Sequence, residues 1–226
     1  MRYALLSDIH SNLEAFQAVL KRLETEDIGS YVSLGDIVGY GADPSECIKL
    51  IRSIKPFASI AGNHDWGVAG TFDIDDFSAH ARTAVLWTRT KLDALELEYL
   101  KLLPAVYVDK KFTLAHGSLE DPEEFNYIRS NTEAAGSMKF STTPMVFIGH
   151  THAAYIYKFD GESRVVNAGS VGQPRDRDPR ASLAIYDDDD SDIEIIRVEY
   201  DIEKARKKIL DAGLPVFLGD RLREGV

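Results

Sequence analysis

Five of the six histidines in this chain fall in four short motifs: "SDIHSN" (Asp8, His10), "AGNHD" (His64), "LAHG" (His116) and "GHTH" (His150, His152). Asp36, in "LGDIVGYG", and Asn63 complete a set of carboxylate, amide and imidazole donors with no thiolate. Such donors suit Mn²⁺, Fe, Zn²⁺ or Ni²⁺ at five or six coordination, more than the closed tetrahedron of structural zinc. Asp8, His10, Asp36, Asn63, His116, His150 and His152 are too many ligands for one ion. They are natural for two ions sharing a bridging carboxylate. A pair of ions roughly 3.5–4 Å apart holds a hydroxide between them and clamps a phosphoryl group during in-line displacement. Residue chemistry alone therefore leans towards a dinuclear metallohydrolase.

Each motif in isolation is weak. An aspartate after an apolar run usually caps a helix, a glycine marks a turn, and a lone histidine packs. Their conjunction carries the inference, because every motif follows a candidate strand. Apolar runs at 3–7, 30–36 and 57–65 alternate with helical patterns at 12–26 and 43–54. This β-α-β-α-β opening favours parallel strands with crossover helices, and such sheets gather ligands outside the carboxyl ends of their strands. In extended backbone, residues i and i+2 face the same side, which would aim Asp8 with His10 and His150 with His152. Asp43 is a candidate N-cap, with Pro44 at the first helical position.

Two helices without an intervening strand are expected across 75–104, an insertion at about 75–103. Strand candidates then dominate: 105–109, 111–117, 145–152, 155–160, 163–169, 182–187 and 193–200. A last amphipathic helix spans 201–213, closed by Gly213 and Pro215. No repeat, low-complexity tract or linker divides the chain, so residues 1–226 read as one domain with a mixed sheet system.

Composition agrees with an ordinary globular protein, at 44% hydrophobic residues and a mean hydropathy of −0.20. Lys+Arg 26 against Asp+Glu 37 gives a net charge of −11. That balance argues against a partner such as long nucleic acid, which needs a basic face to displace counterions. It leaves a phosphate-bearing substrate open, since bound cations reverse the field locally. Cys47 is the only cysteine, which excludes a disulfide framework and points to a reducing cytoplasm. The opening "MRYALLSDIH" reads as neither signal peptide nor membrane span.

The motifs "DIH", "GDIVGYG", "GNHD", "HG" and "GHTH", in that order from residue 8 to residue 152, resemble the calcineurin-like metallophosphoesterases. The later "VVNAGSVGQPRDRDP" is similar to the bacterial and archaeal phosphodiesterase branch of that superfamily. The resemblance implies an α/β fold, a four-layer α/β/β/α sandwich with two mixed β-sheets. It implies that Asp8, His10 and His152 hold one metal, Asn63, His116 and His150 the other, and Asp36 bridges both. It makes His64 the catalytic histidine at the leaving group, oriented by Asp65, with Asn63 also facing the phosphate oxygens.

The reaction so implied is hydrolysis of a small phosphodiester or nucleotide, such as a dinucleoside polyphosphate, by a metal-bridging hydroxide, with manganese as the favoured ion. Phosphoprotein phosphatase or phosphomonoesterase activity is the alternative, and a non-catalytic interaction scaffold the alternative of another class. Asn12 is a candidate substrate contact or a helix cap, and Arg175 a phosphate grip or a surface ion pair. Tyr40 either stacks on a base or packs in its loop. His80 and the run Asp187 to Asp190 read as surface features. The C-terminal "GLPVFLGDRL" leaves homo-oligomerisation open.

Overall fold

The computed structural model describes residues 1–226. The expected opening is present as β1 (Arg2–Leu6), α1 (Leu13–Leu23), β2 (Ser30–Ser33), α2 (Pro44–Ser53) and β3 (Ala58–Ser59). β1 pairs parallel with β2, and β2 with β3. On α1 the apolar positions Ala15, Phe16, Val19 and Leu23 share one face and are all buried. Two late strands, β9 (Ala181–Asp187) and β10 (Asp192–Val198), return antiparallel to complete a sheet ordered β10-β9-β1-β2-β3.

The second sheet contains β4 (Val106–Val108), β5 (Phe112–Ala115), β6 (Met145–Ile148), β7 (Ala154–Lys158) and β8 (Arg164–Ala168), in the order β4-β5-β6-β8-β7. Its β5, β6 and β8 run parallel, while β4 and β7 form antiparallel edges. The two sheets face each other across Tyr3, Leu5, Val32 and Leu34 on one side and Phe112, Leu114, Phe147 and Val166 on the other. Phe112 makes edge-to-face contacts with Tyr3 and Phe147, at centroid distances of 5.4 and 5.6 Å. Each large side chain fully buried here contributes about 1.5–3 kcal/mol. α1 and α2 cover the outer face of the first sheet. The outer face of the second meets Ala134 of a further helix, α6 (Asn131–Met138). The layers are therefore helix, sheet, sheet, helix.

The helices expected near 75–104 are α4 (Ala79–Arg89) and α5 (Ala94–Lys101), and the last predicted helix is α7 (Ile202–Asp211). Several details differ from the sequence reading. The strand expected at 57–65 pairs only through Ala58 and Ser59. "GNHD" instead opens a seven-residue helix, α3 (Asn63–Ala69), whose Asp65 carboxylate accepts the Gly62 N–H at 3.1 Å. A final helix, α8 (Val216–Glu224), follows the one that was expected to close the chain. Asp43 precedes α2 without capping it, because its carboxylate accepts from Lys208 Nζ at 2.9–3.0 Å. Asp188 pairs with the Met1 amine and with Lys111, in keeping with a surface turn. No helix is long and apolar enough to cross a membrane.

Candidate metal centre

The loops after β1, β2, β5 and β6, with the start of α3, bring the sequence-selected residues to one end of the paired sheets. Two groups form. Asp8, His10, Asp36 and His152 offer ligand atoms all within 4.8 Å of one another, and Asp36, His116 and His150 do the same. Asp36 belongs to both groups. Its Oδ2 lies 3.4 Å from His10 Nε2 and 3.3 Å from His116 Nε2. Asp8 Oδ1 lies 3.2 Å from His152 Nε2. His150 and His152 thus diverge to different groups despite being one residue apart.

The reason is not the extended-strand alternation expected from spacing. β1 stops at Leu6 and β6 at Ile148, before the ligands. Asp8, His10, Asp36, His150 and His152 have φ of 52°, 48°, 54°, 67° and 58°, all left-handed. Such backbone costs roughly 1–2 kcal/mol per residue and persists where surrounding bonds over-determine it. Here Asp8 N–H donates to Gly35 O at 3.0 Å, His10 N–H to Asp36 O at 2.9 Å, and Gly172 N–H to Asp8 O at 2.9 Å. Gly62 is required for the approach of α3: a Cβ there would overlap the Asp36 carboxylate.

Three imidazoles are anchored from behind. His10, His116 and His152 donate from Nδ1 to the carbonyls of Val38 (3.0 Å), Leu34 (2.7 Å) and Gln173 (2.6 Å). Those acceptors fix the tautomer and turn each Nε2 inward, the arrangement common to metal-binding histidines. Nε2 of His10 and of His152 then face each other at 3.1 Å. Asp8 Oδ1, Asp36 Oδ2, Asn63 Oδ1 and His116 Nε2 are buried without a hydrogen-bond partner. Buried acceptors converging on one space without donors are costly unless cations satisfy them, so the donor set fits bound metal.

The charges agree. Burial opposes ionisation of Asp8, yet His10 and His116 outweigh it and hold the carboxyl down at about 2. Burial likewise opposes ionisation of Asp36, and His116 and His64 hold it well below the usual range. Burial would lower His116, but Asp36 and then Asp8 lift it to about 9. Burial, with His116 for His150 and Arg175 for His152, keeps the other two imidazoles neutral. The carboxylates thus stay charged, His150 and His152 offer neutral nitrogens, and His116 carries a proton that a metal must displace.

His64, at the start of α3, is 4% exposed, and burial holds it down to about 3. Its backbone N–H donates to Asp36 Oδ1 at 2.9 Å. Gly39 packs beneath the ring, where a Cβ would sit 2.6 Å from Nδ1. The expected orienting role of Asp65 is not met. Its carboxylate accepts from the Val38 and Gly62 amides at 3.2 and 3.1 Å, while His64 Nδ1 is buried without a partner. Asp65 ties the loop after β2 to α3, and burial with nearby Asp36 raises it to about 7.

Asn12 also differs from the candidate substrate role. It is 4% exposed and fully engaged, capping α1 through Ala15 N–H at 3.1 Å and donating to Gly172 O at 2.8 Å. A cavity of about 750 Å³ opens beside the centre, lined by Asn63, His64, His150 and Arg175, with Tyr40, Phe72, Phe77, Phe125 and Tyr127. Most of the lining escaped the sequence reading, Tyr127 and Arg221 among it. Tyr127 stacks on His150 at 3.9 Å and 11°, in a loop without a motif. Arg221 arrives from α8, more than forty positions beyond Arg175, with no local signal. His80 stays outside, stacked on Phe217.

Residues 1–191 match the calcineurin-like phosphoesterase superfamily domain. The chain is 39% identical to an uncharacterized protein of Methanocaldococcus jannaschii, MJ0912, over 97% of this chain and 96% of that one. It also resembles a metallophosphoesterase crystal structure from Sphaerobacter thermophilus, with 39% identity, a TM-score of 0.88, and 100% and 99% of the two chains covered. A hypothetical protein of Pyrococcus horikoshii, PH1004, superposes with a TM-score of 0.89 at 25% identity, covering 100% and 98%.

Proposed function

Because the chain belongs to the calcineurin-like phosphoesterase superfamily and is a metal-dependent phosphoric ester hydrolase, we propose that it cleaves small phosphodiesters or nucleotides at a two-metal centre. The observation that carries this reading is Asp36, whose one carboxylate serves two convergent groups of buried ligands. Asp8, His10 and His152 hold one ion, Asn63, His116 and His150 the other, and Asp36 both. Two such cations supply water of lowered pKa and neutralise phosphoryl charge. Manganese fits the hard carboxylate and amide donors.

The chain's own residues do the rest. The Asn63 amide, at the N-terminus of α3, faces the phosphoryl oxygens from the cavity wall. His64, neutral and beside Asp36, donates a hydrogen bond to the departing oxygen. The left-handed loops hold these groups before substrate arrives, so little reorganisation is needed. The cavity's volume and aromatic lining suit a nucleoside, whose base stacks on Phe72, Phe77 or Tyr127. We place the whole of residues 1–226 in this one catalytic domain, with α4 and α5 as its insertion, of which α4 reaches the cavity through Ala81. Buried, unpaired Cys47 accords with a reducing cytoplasm.

The test is hydrolysis by Mn²⁺-loaded protein of a panel: bis-p-nitrophenyl phosphate, p-nitrophenyl phosphate, a dinucleoside tetraphosphate and a phosphopeptide. Diester and nucleotide turnover above the other two supports the reading. Preference for the phosphopeptide makes the chain a protein phosphatase, and no turnover of any ester leaves a scaffold.

A further inference from the structure

Arg175 and Arg221 are the feature of the cavity that the two-metal reading leaves unused. Arg175 lies in the loop after β8, anchored by its backbone N–H to His152 O at 3.0 Å. Its guanidinium donates only to a neutral acceptor, Gln173 Oε1, at 3.2 and 2.7 Å. It also lies 5.5 Å from the ring centroid of Tyr40, which in turn sits 4.6 Å from His10 and 4.4 Å from His64. Arg221 donates from Nε to the backbone oxygen of Val226 and rests 5.0 Å from the Phe217 centroid. Both line the same cavity as Asn63, His64 and His150.

Neither arginine has an Asp or Glu side chain within ion-pair distance, although the surrounding chain is strongly acidic. Several other arginines of this half of the chain are paired, Arg180 with Asp178, Arg197 with Asp176, Arg206 with Asp220 and Arg223 with Glu203, whereas Arg177, outside the cavity lining, is not. Burial, and then the nearby Arg175 charge, hold Arg221 down to about 10. Two like charges brought together in a partly buried cavity repel each other. A bound anion reverses that repulsion, and the guanidinium fork matches phosphate geometry. The remaining charged groups of the cavity are Asp73, Asp76, Glu123 and Glu124, all exposed carboxylates. They make that rim repel a phosphate and accept from sugar hydroxyls or base amines instead.

We infer that Arg175 and Arg221 form a subsite for a second anionic group beside the scissile phosphate, so that the favoured substrates are nucleotides carrying two or more linked phosphates. The inference rests on the metal-centre reading above and narrows its substrate class. Tyr40 spaces the subsite from the metal ligands and supports the Arg175 guanidinium from below, while the acidic rim sets the polarity with which the substrate enters.

The experiment compares two diadenosine substrates with Mn²⁺-loaded protein: diadenosine diphosphate, bridged by two phosphates, and adenylyl-adenosine, bridged by one. The wild type is expected to favour the first in kcat/KM by at least tenfold. Arg175→Gln and Arg221→Gln should each collapse that ratio to within about threefold, through KM, and Arg221→Lys should restore part of it. A ratio near one in the wild type, or one unmoved by both Gln variants, overturns the subsite. Absence of turnover on either substrate and on bis-p-nitrophenyl phosphate would instead sink the enzymatic reading itself. Thermal melts accompany both variants. Arg177 N–H of the same loop donates to Gly225 O at the end of α8 at 2.8 Å, so the melts decide whether Arg221→Gln loosens both. Arg175→Gln keeps that bond and the Arg175 N–H bond to His152 O, and it decides the subsite.

Discussion

Replacing Asp36 by Asn preserves shape and removes one charge, which isolates what the shared carboxylate does. The Oδ1 bond from the His64 amide at 2.9 Å survives in the asparagine. What is lost is the charge at Oδ2, 3.3 Å from His116 Nε2 and 3.4 Å from His10 Nε2. A unit charge at about 3.3 Å and an effective permittivity near 20 interacts by about 5 kcal/mol. Desolvation returns part of this, so removing one partner of a buried pair costs about 3–5 kcal/mol. A cation in that space loses at least as much, or about 10²–10⁴-fold in affinity at 1.4 kcal/mol per decade. Because both ligand groups include Asp36, both affinities should fall together. Calorimetric titration of metal-free protein with Mn²⁺ measures this, with bis-p-nitrophenyl phosphate turnover alongside. Retention of both binding events within threefold of the wild-type affinity would refute the bridging role.

Three further outcomes follow from the same geometry. His64→Ala should keep its metal content near two ions yet lower turnover by about 10²–10⁴-fold, and loss of both ions would make His64 structural instead. His116 is held protonated up to about 9 in the metal-free protein, so metal must displace that proton. Binding should therefore weaken as pH falls below about 9, and calorimetry in buffers of different ionisation enthalpy should read about one proton released at pH 7.5. Asn12→Ala removes the α1 cap and the bond to Gly172, which should lower stability by about 1–2 kcal/mol, seen as a drop in Tm, with KM unchanged. A raised KM would return Asn12 to the substrate site.

The sequence was most legible where chemistry and periodicity coincide. The ligand candidates are spread from residue 8 to residue 152, each after a recognisable apolar run, and six of the seven converge in two groups, with Asn63 in the adjoining cavity wall. Asp8 and His10 do share one group, but left-handed turns, not the i, i+2 alternation of a strand, aim those side chains. The same alternation would put His150 and His152 together, whereas they part to different groups. Helix α3 was hidden because its seven residues begin inside a metal motif and contain Gly67. α6 is made of small residues with little periodicity, although Ser130 and Glu133 form a readable capping box. Asp43 had the signature of a cap, but Lys208, distant in sequence, captured its carboxylate. Asp65 sits next to His64 in sequence, yet its carboxylate turns to the Val38 and Gly62 amides. Tyr127 and Arg221 reach the cavity through tertiary packing alone, which no local pattern encodes.

The central claim is that one carboxylate organises two metal ions. Anomalous diffraction at the manganese edge, from crystals of Mn²⁺-loaded protein, tests it directly. Two peaks are expected, one ringed by Asp8, His10 and His152 and the other by Asn63, His116 and His150, with Asp36 contacting both. A single peak, or two peaks without Asp36 between them, would contradict it.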